Sequence, residues 1–171
     1  MHVDSKKEYC TMFEKVKAIT IVRRMVSDSE SVINCAKEEG FLTSNYYANA
    51  ECAMLALAVV FSNIYTNKEK LGNAIVKEAA SGSWRTFVSE KHRDKYKESI
   101  EKLSMQYVQA IQSTYSNLDL NEIQKLDTAY REICKIFASH IYAEFTAESS
   151  DYFMQVLWGV KEYVYTILGG K

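Results

Sequence analysis

Cys52-Ala53-Met54-Leu55-Ala56-Leu57-Ala58-Val59-Val60-Phe61 is the longest apolar run in the chain. It continues a helix-forming stretch that opens at Thr43 or Ser44, either of which can cap it, and runs to about Tyr65. A helix that is apolar all round its cylinder is covered on every side by neighbours. The run is ten residues long, and a membrane span needs roughly 18 to 20. It is therefore read as the buried central helix of an all-α domain, with no membrane span. Ala53, Ala56 and Ala58 allow neighbouring backbones to approach closely.

Outward from this helix the chain has few breakers. Among 171 residues there is no proline and there are six glycines, where average usage would supply about 5% proline. Short connections and long helices follow. One helix begins after Asp4 or Ser5, with Tyr9, Met12, Phe13, Val16, Ile19, Val22 and Val26 inward. Ser27-Asp28-Ser29 interrupts it and caps a second, shorter helix that stops at Gly40. Asn67 caps a helix over Lys68 to Ala80, and Ser81-Gly82-Ser83 leads into a short turn carrying Trp84, Phe87 and Val88. A long helix from about Ser89 to Tyr115 has the stripe Tyr96, Ile100, Leu103, Tyr107, Ala110, Ile111 and Thr114. The next opens on a capping box of Asp119 and Glu122. Its stripe is Ile123, Leu126, Tyr130, Ile133, Phe137, Ile141 and Glu144/Phe145. The last helix runs from Asp151 to Leu168, capped by Ser149 or Ser150, and ends at Gly169-Gly170. The expectation is one domain over residues 1–171, a bundle of seven or eight helices around a buried central helix. Helix number and length are compatible, as fold-level analogy, with a globin-like arrangement lacking haem.

Hydrophobic residues make up 47% and charged residues 25%, with a net charge of −1. Such a chain folds, and it has no global attraction to nucleic acid or anionic membrane. The polar N-terminus is read as carrying no signal peptide, and a cytoplasmic location is expected. Cys10, Cys35, Cys52 and Cys134 are widely spaced and read as reduced, buried thiols. No metal site and no cofactor is expected.

Motifs for catalysis are missing: there is no G-x-S-x-G, P-loop, G-x-G-x-x-G or H-E-x-x-H, and the chain is not expected to be an enzyme. His2 and His92 lie in polar surroundings, whereas His140 borders an apolar stripe and could serve a pocket. Ala36, Gly40, Phe41 and Thr43/Ser44 match a helix-turn-helix pattern. Its second helix, with Asn45, Tyr46, Tyr47 and Asn49, has no Lys or Arg for phosphates. DNA binding by a transcription regulator is thus an alternative, and nucleic acid is not the favoured partner. Trp158 and Glu162 stand at a W-x-x-x-E spacing, which resembles a signature of some bacterial effector proteins that act on host GTPases. The resemblance covers two residues, inside an apolar C-terminal helix, and is read as chance. A docking-only effector or interaction protein is a further alternative.

Tyrosine is abundant, with twelve residues, and its amphipathic ring suits pockets and interfaces. The leading expectation is a non-catalytic regulatory or sensor module. It would bind a small hydrophobic ligand through His140, Tyr107, Tyr130 and Phe137. In the last helix Asp151, Gln155, Gly159, Glu162 and Thr166 form one narrow polar stripe, and Lys161 alone breaks the apolar remainder. Tyr152, Leu157, Trp158 and Tyr165 are therefore expected to meet a protein partner or a second copy in a homodimer.

Overall fold

The computed structural model describes residues 4–42, 47–81 and 93–170, with side chains from Met12 onward. Among these residues it contains six helices: α1 (Asp4–Glu38), α2 (Tyr47–Thr66), α3 (Lys70–Ser81), α4 (Arg93–Tyr115), α5 (Glu122–His140) and α6 (Ala147–Ile167). All-α is the observed class. Seven or eight helices are expected from the sequence, and the number is corrected to six among the described residues. The short turn expected at Ser83 to Val88, the caps Thr43 and Ser44, and His2 and His92 lie outside them.

The lost helix comes from α1, which runs straight through Ser27-Asp28-Ser29. Its inward face continues as Ile21, Val22, Met25, Ser29, Val32, Ile33 and Ala36, each under 9% exposed. Ser29 does not cap, because its hydroxyl donates back to the Val26 carbonyl at 2.7 Å. Asp28 instead accepts from Arg24 Nε at 2.7 Å. Both polar groups are satisfied without breaking the ladder. At about 1.5 Å per residue α1 spans some 50 Å and α2 about 30 Å, so the first turns of α1 overrun their neighbour. Met12, Phe13 and Val16, expected inward, are 63%, 67% and 59% exposed.

The central helix is as the sequence requires. Every residue of α2 from Ala50 to Ser62 is buried, and α2 packs against α1, α3, α4, α5 and α6. Those five helices also touch one another in the cyclic order α1, α3, α4, α5, α6 and back to α1. The ring closes around α2, and this is why α2 needs no polar face. By length and composition α2 would be apolar enough to cross a membrane, but 72% of that window is buried inside the fold. Ala53, Ala56 and Ala58 are fully buried at 0%, and Gly72 of α3 lies so close that an added Cβ would meet Asn63 Oδ1.

Successive helices reverse direction. Asn49, at the start of α2, donates to the carbonyl of His140, at the end of α5, at 3.0 Å. Tyr65 and Tyr165, near the ends of α2 and α6, have ring centroids 5.1 Å apart. The ends of α2, α4 and α6 thus meet the start of α5 at one end of the bundle.

Three helices stop in one way. After α1, Phe41 N–H donates to Ala36 O and Gly40 has φ +78°. After α6, Gly170 N–H donates to Tyr165 O and Gly169 has φ +83°. After α5, Ala143 N–H donates to Ala138 O, with Tyr142 in the left-handed position at φ 58°. The six-to-one bond and left-handed residue are those of a Schellman stop. Because α5 ends there, Glu144 and Phe145 do not extend its stripe, and Glu144 N–H donates to Phe41 O at 3.0 Å. Several starts differ from expectation as well. α5 is capped by the box Asn121 with Gln124, not Asp119 with Glu122, and α6 by Thr146 with Ser149, which places Ser149 inside the first turn. Asn67 caps nothing downstream: it adopts φ 51° after α2, and α3 starts at Lys70. Ile123, on the first turn of α5, is 81% exposed. Cys52 and Cys134 are buried, whereas Cys35 is exposed, since Ile33 and Ala36 take the inward positions beside it.

Candidate functional site

The four residues expected to line a ligand pocket are not brought together. Tyr107 and Phe137 are core residues at 0% and 2% exposure, and the Tyr107 hydroxyl faces the Ala53 carbonyl at 3.5 Å. Burial, followed by Cys134 and Cys52, raises the pKa of that phenol well above its ordinary value. His140 and Tyr130 stand at different places along α5, about 15 Å apart by helical rise, and each borders its own groove.

His140 lies on an open groove of about 770 Å³ between α4 and α5, with Gln106, Gln109, Ser113, Lys135 and Ser139 along it. Its Nε2 is buried without a hydrogen-bond partner. Burial first, and Lys102 second, lower its pKa below the ordinary 6.5. The imidazole is therefore held neutral. Among the described residues no group of three or more His, Cys, Asp or Glu could hold a metal ion.

Tyr130 borders a second groove of about 400 Å³. Phe61, Ile64 and Tyr65 enter it from α2, and Ile111 and Tyr115 from α4. Leu126, Ala129 and Tyr130 enter from α5, and Lys161 closes it from α6. This is the end of the bundle where α2 finishes, so the groove forms as the all-round apolar helix runs out. The rings are arranged edge to face. Tyr130 meets Phe61 at 6.5 Å and 89° and Trp158 at 5.4 Å and 83°, geometries that suit aromatic quadrupoles. Lys161 Nζ stands 4.0 Å from the Trp158 ring centroid and 5.3 Å from that of Tyr130. Burial, with smaller effects from Tyr130, Glu162 and Tyr165, pushes the Tyr65 phenol up to about 12.

The four residues expected at an interface separate in the same way. Leu157 is 1% exposed and belongs to the core, so it presents no surface to a partner. Tyr152 is half-buried, packs on Phe41 at 6.0 Å, and donates its hydroxyl to the Val32 carbonyl at 3.0 Å. Trp158 and Tyr165 are 39% and 37% exposed and flank the Tyr130 groove. One residue of the ligand set and two of the interface set thus share one end of the molecule. Lys161, Tyr65, Ile111 and Tyr115 were missed by the sequence reading. The only signal was Lys161 as the single cation in the apolar part of α6.

The helix-turn-helix alternative meets a geometric obstacle. Its second helix is α2, ringed by the other five. Tyr47 donates its hydroxyl to Asn34, and Asn49 is bonded to α5. Ser44, Asn45 and Tyr46 lie outside the described residues. Comparison with family models, with curated proteins and with solved structures finds no match for this chain.

Proposed function

We propose that this protein is a non-catalytic binding module, of regulatory or sensor type, that takes a small hydrophobic ligand in the groove bordered by Tyr130. The observation that carries this reading is the groove itself. It is a concavity of about 400 Å³, within the usual range of about 300 to 1,000 Å³ for small-molecule sites. Its walls are aromatic and aliphatic, with a few polar groups at the rim, as such sites require. Nearby thiol chemistry offers no competing account, because burial pushes Cys134 up to about 12 and keeps it protonated. Of the architectures compatible with the sequence, the closed ring favours a bundle around a buried helix. The globin-like comparison rests on helix number and length, and the number among the described residues is six.

Amide chemical-shift mapping with the neutral probe N-phenyl-1-naphthylamine tests the reading. Saturable shifts confined to 61–65, 111–115 and 126–130 are expected. Shifts centred on the His140 groove, or no shifts at all, would defeat it. A protein partner or second copy is a second reading, favoured by the exposed Ile64, Tyr115, Trp158 and Tyr165 around the same groove. Sedimentation of the wild-type chain and of Trp158→Ala checks it. A dimer abolished by the substitution supports this reading, and a monomer at all concentrations removes the homodimer.

A further inference from the structure

We infer that the groove selects amphipathic monoanions, with Lys161 holding the anionic head while the apolar body lies between α2, α4 and α5. This rests on the groove being a ligand site.

The floor of the groove, Phe61, Ile111, Leu126 and Ala129, has only carbon side chains to offer, so it can hold the body of a ligand but cannot orient a polar head. Among the described residues the single cation lining it is Lys161. Nearby Lys125 is already engaged, at 3.2 Å from Glu122, whereas no carboxylate among the described residues pairs with Lys161. Its ammonium rests on the faces of Trp158 and Tyr130. Those faces hold a cation by quadrupole attraction without neutralising it, and an ammonium has three donors to share. The Tyr65 hydroxyl makes no hydrogen bond among the described residues and, with its proton held up to about 12, stays a neutral donor at pH 7. Glu162 places a negative charge near Tyr65, so an anionic head at this rim depends on the positive charge of Lys161 to offset it. The position at the rim matters as well. A carboxylate or sulfonate there stays partly hydrated and escapes the several-kcal/mol cost of full burial. The volume of the groove equals that of about 13 waters at about 30 Å³ each, enough for two fused rings or a chain of about ten carbons.

The test compares two probes that share an apolar skeleton and differ in charge: 1-anilinonaphthalene-8-sulfonate and N-phenyl-1-naphthylamine, titrated by fluorescence with sites located by amide shifts. Lys161→Gln is expected to weaken the sulfonate roughly two- to fivefold, the range for a partly exposed ion pair. It should leave the neutral probe unchanged, and Lys161→Arg should restore the sulfonate. If both probes bind the groove and Lys161→Gln alters neither, selection of anions is overturned while the groove survives as a neutral site. If neither probe shifts the groove amides, the groove reading itself fails and the inference falls with it. Lys161 is half-buried and outside the core cluster, so the substitution should leave the fold intact, which a thermal melt checks.

Discussion

Tyr142 shows what a single residue can cost. It occupies the left-handed position after α5 at φ 58°, where the two corresponding stops use Gly40 and Gly169. A side chain with a Cβ pays about 1 kcal/mol or more in that region. Tyr142→Gly is expected to raise stability by about 1 kcal/mol, read as a higher urea midpoint with an unchanged slope. The neighbouring His140 sets a pH dependence. Its pKa is lowered in the fold by burial and then by Lys102, so the unfolded chain takes up the proton first. Its contribution is intact above the unfolded value of about 6.5 and is lost as pH falls through that value toward the lower folded one. Urea midpoints compared at about pH 7.5 and 5.5 should fall for the wild type. They should fall less for His140→Gln, and an equal decline in both would remove His140 as the cause.

Among elements, the contact of α2 with α3 makes the sharpest prediction. Alanine in place of a helical glycine normally gains about 1 kcal/mol, yet a Cβ on Gly72 would run into Asn63 Oδ1. Overpacking of that kind costs about 1 to 3 kcal/mol. Asn63 Oδ1 is the far end of a rotatable side chain and can give way, so Gly72→Ala is expected to forfeit the usual gain and come out near neutral, within about 0.5 kcal/mol. In the Asn63→Ala background the same change should stabilise, because the obstacle and an unpartnered buried acceptor leave together. A double-mutant cycle in urea checks the sign. The helices themselves were legible. The stripes of α4 and α5 are buried at Tyr96, Ile100, Leu103, Tyr107, Tyr130, Ile133 and Phe137, as their spacing of three and four demands. The ends were less legible. Asp119 and Asn121 both precede an acceptor-rich first turn, and which one caps depends on where the chain leaves α4. Ser29 has the side chain of a cap, but its place on a continuous apolar face turned the hydroxyl back into its own helix.

For the whole molecule, the closed ring around α2 makes the centre intolerant of added volume. Ala56 is 0% exposed, with helices on every side and no free direction in which to relax. Ala56→Leu is expected to cost about 3 kcal/mol. Ile64→Ala, at 52% exposure near the end of the same helix, should cost under about 1 kcal/mol. Equal losses at the two positions, measured by denaturant unfolding, would contradict the central placement of α2. The helical class and the burial of Cys52 to Phe61 are readable without coordinates, because both follow from local spacing and from the absence of any polar face. The sequence also carried the surplus of apolar surface on α6. Only the tertiary structure decided where that surplus goes. Phe153, Leu157, Val160 and Val164 are spent on the core, and Trp158, Lys161 and Tyr165 are left beside Tyr130 at the end of the bundle. The groove is built from residues on four helices, and their meeting depends on helix lengths and on the ring's closing order, which no stretch of local sequence encodes.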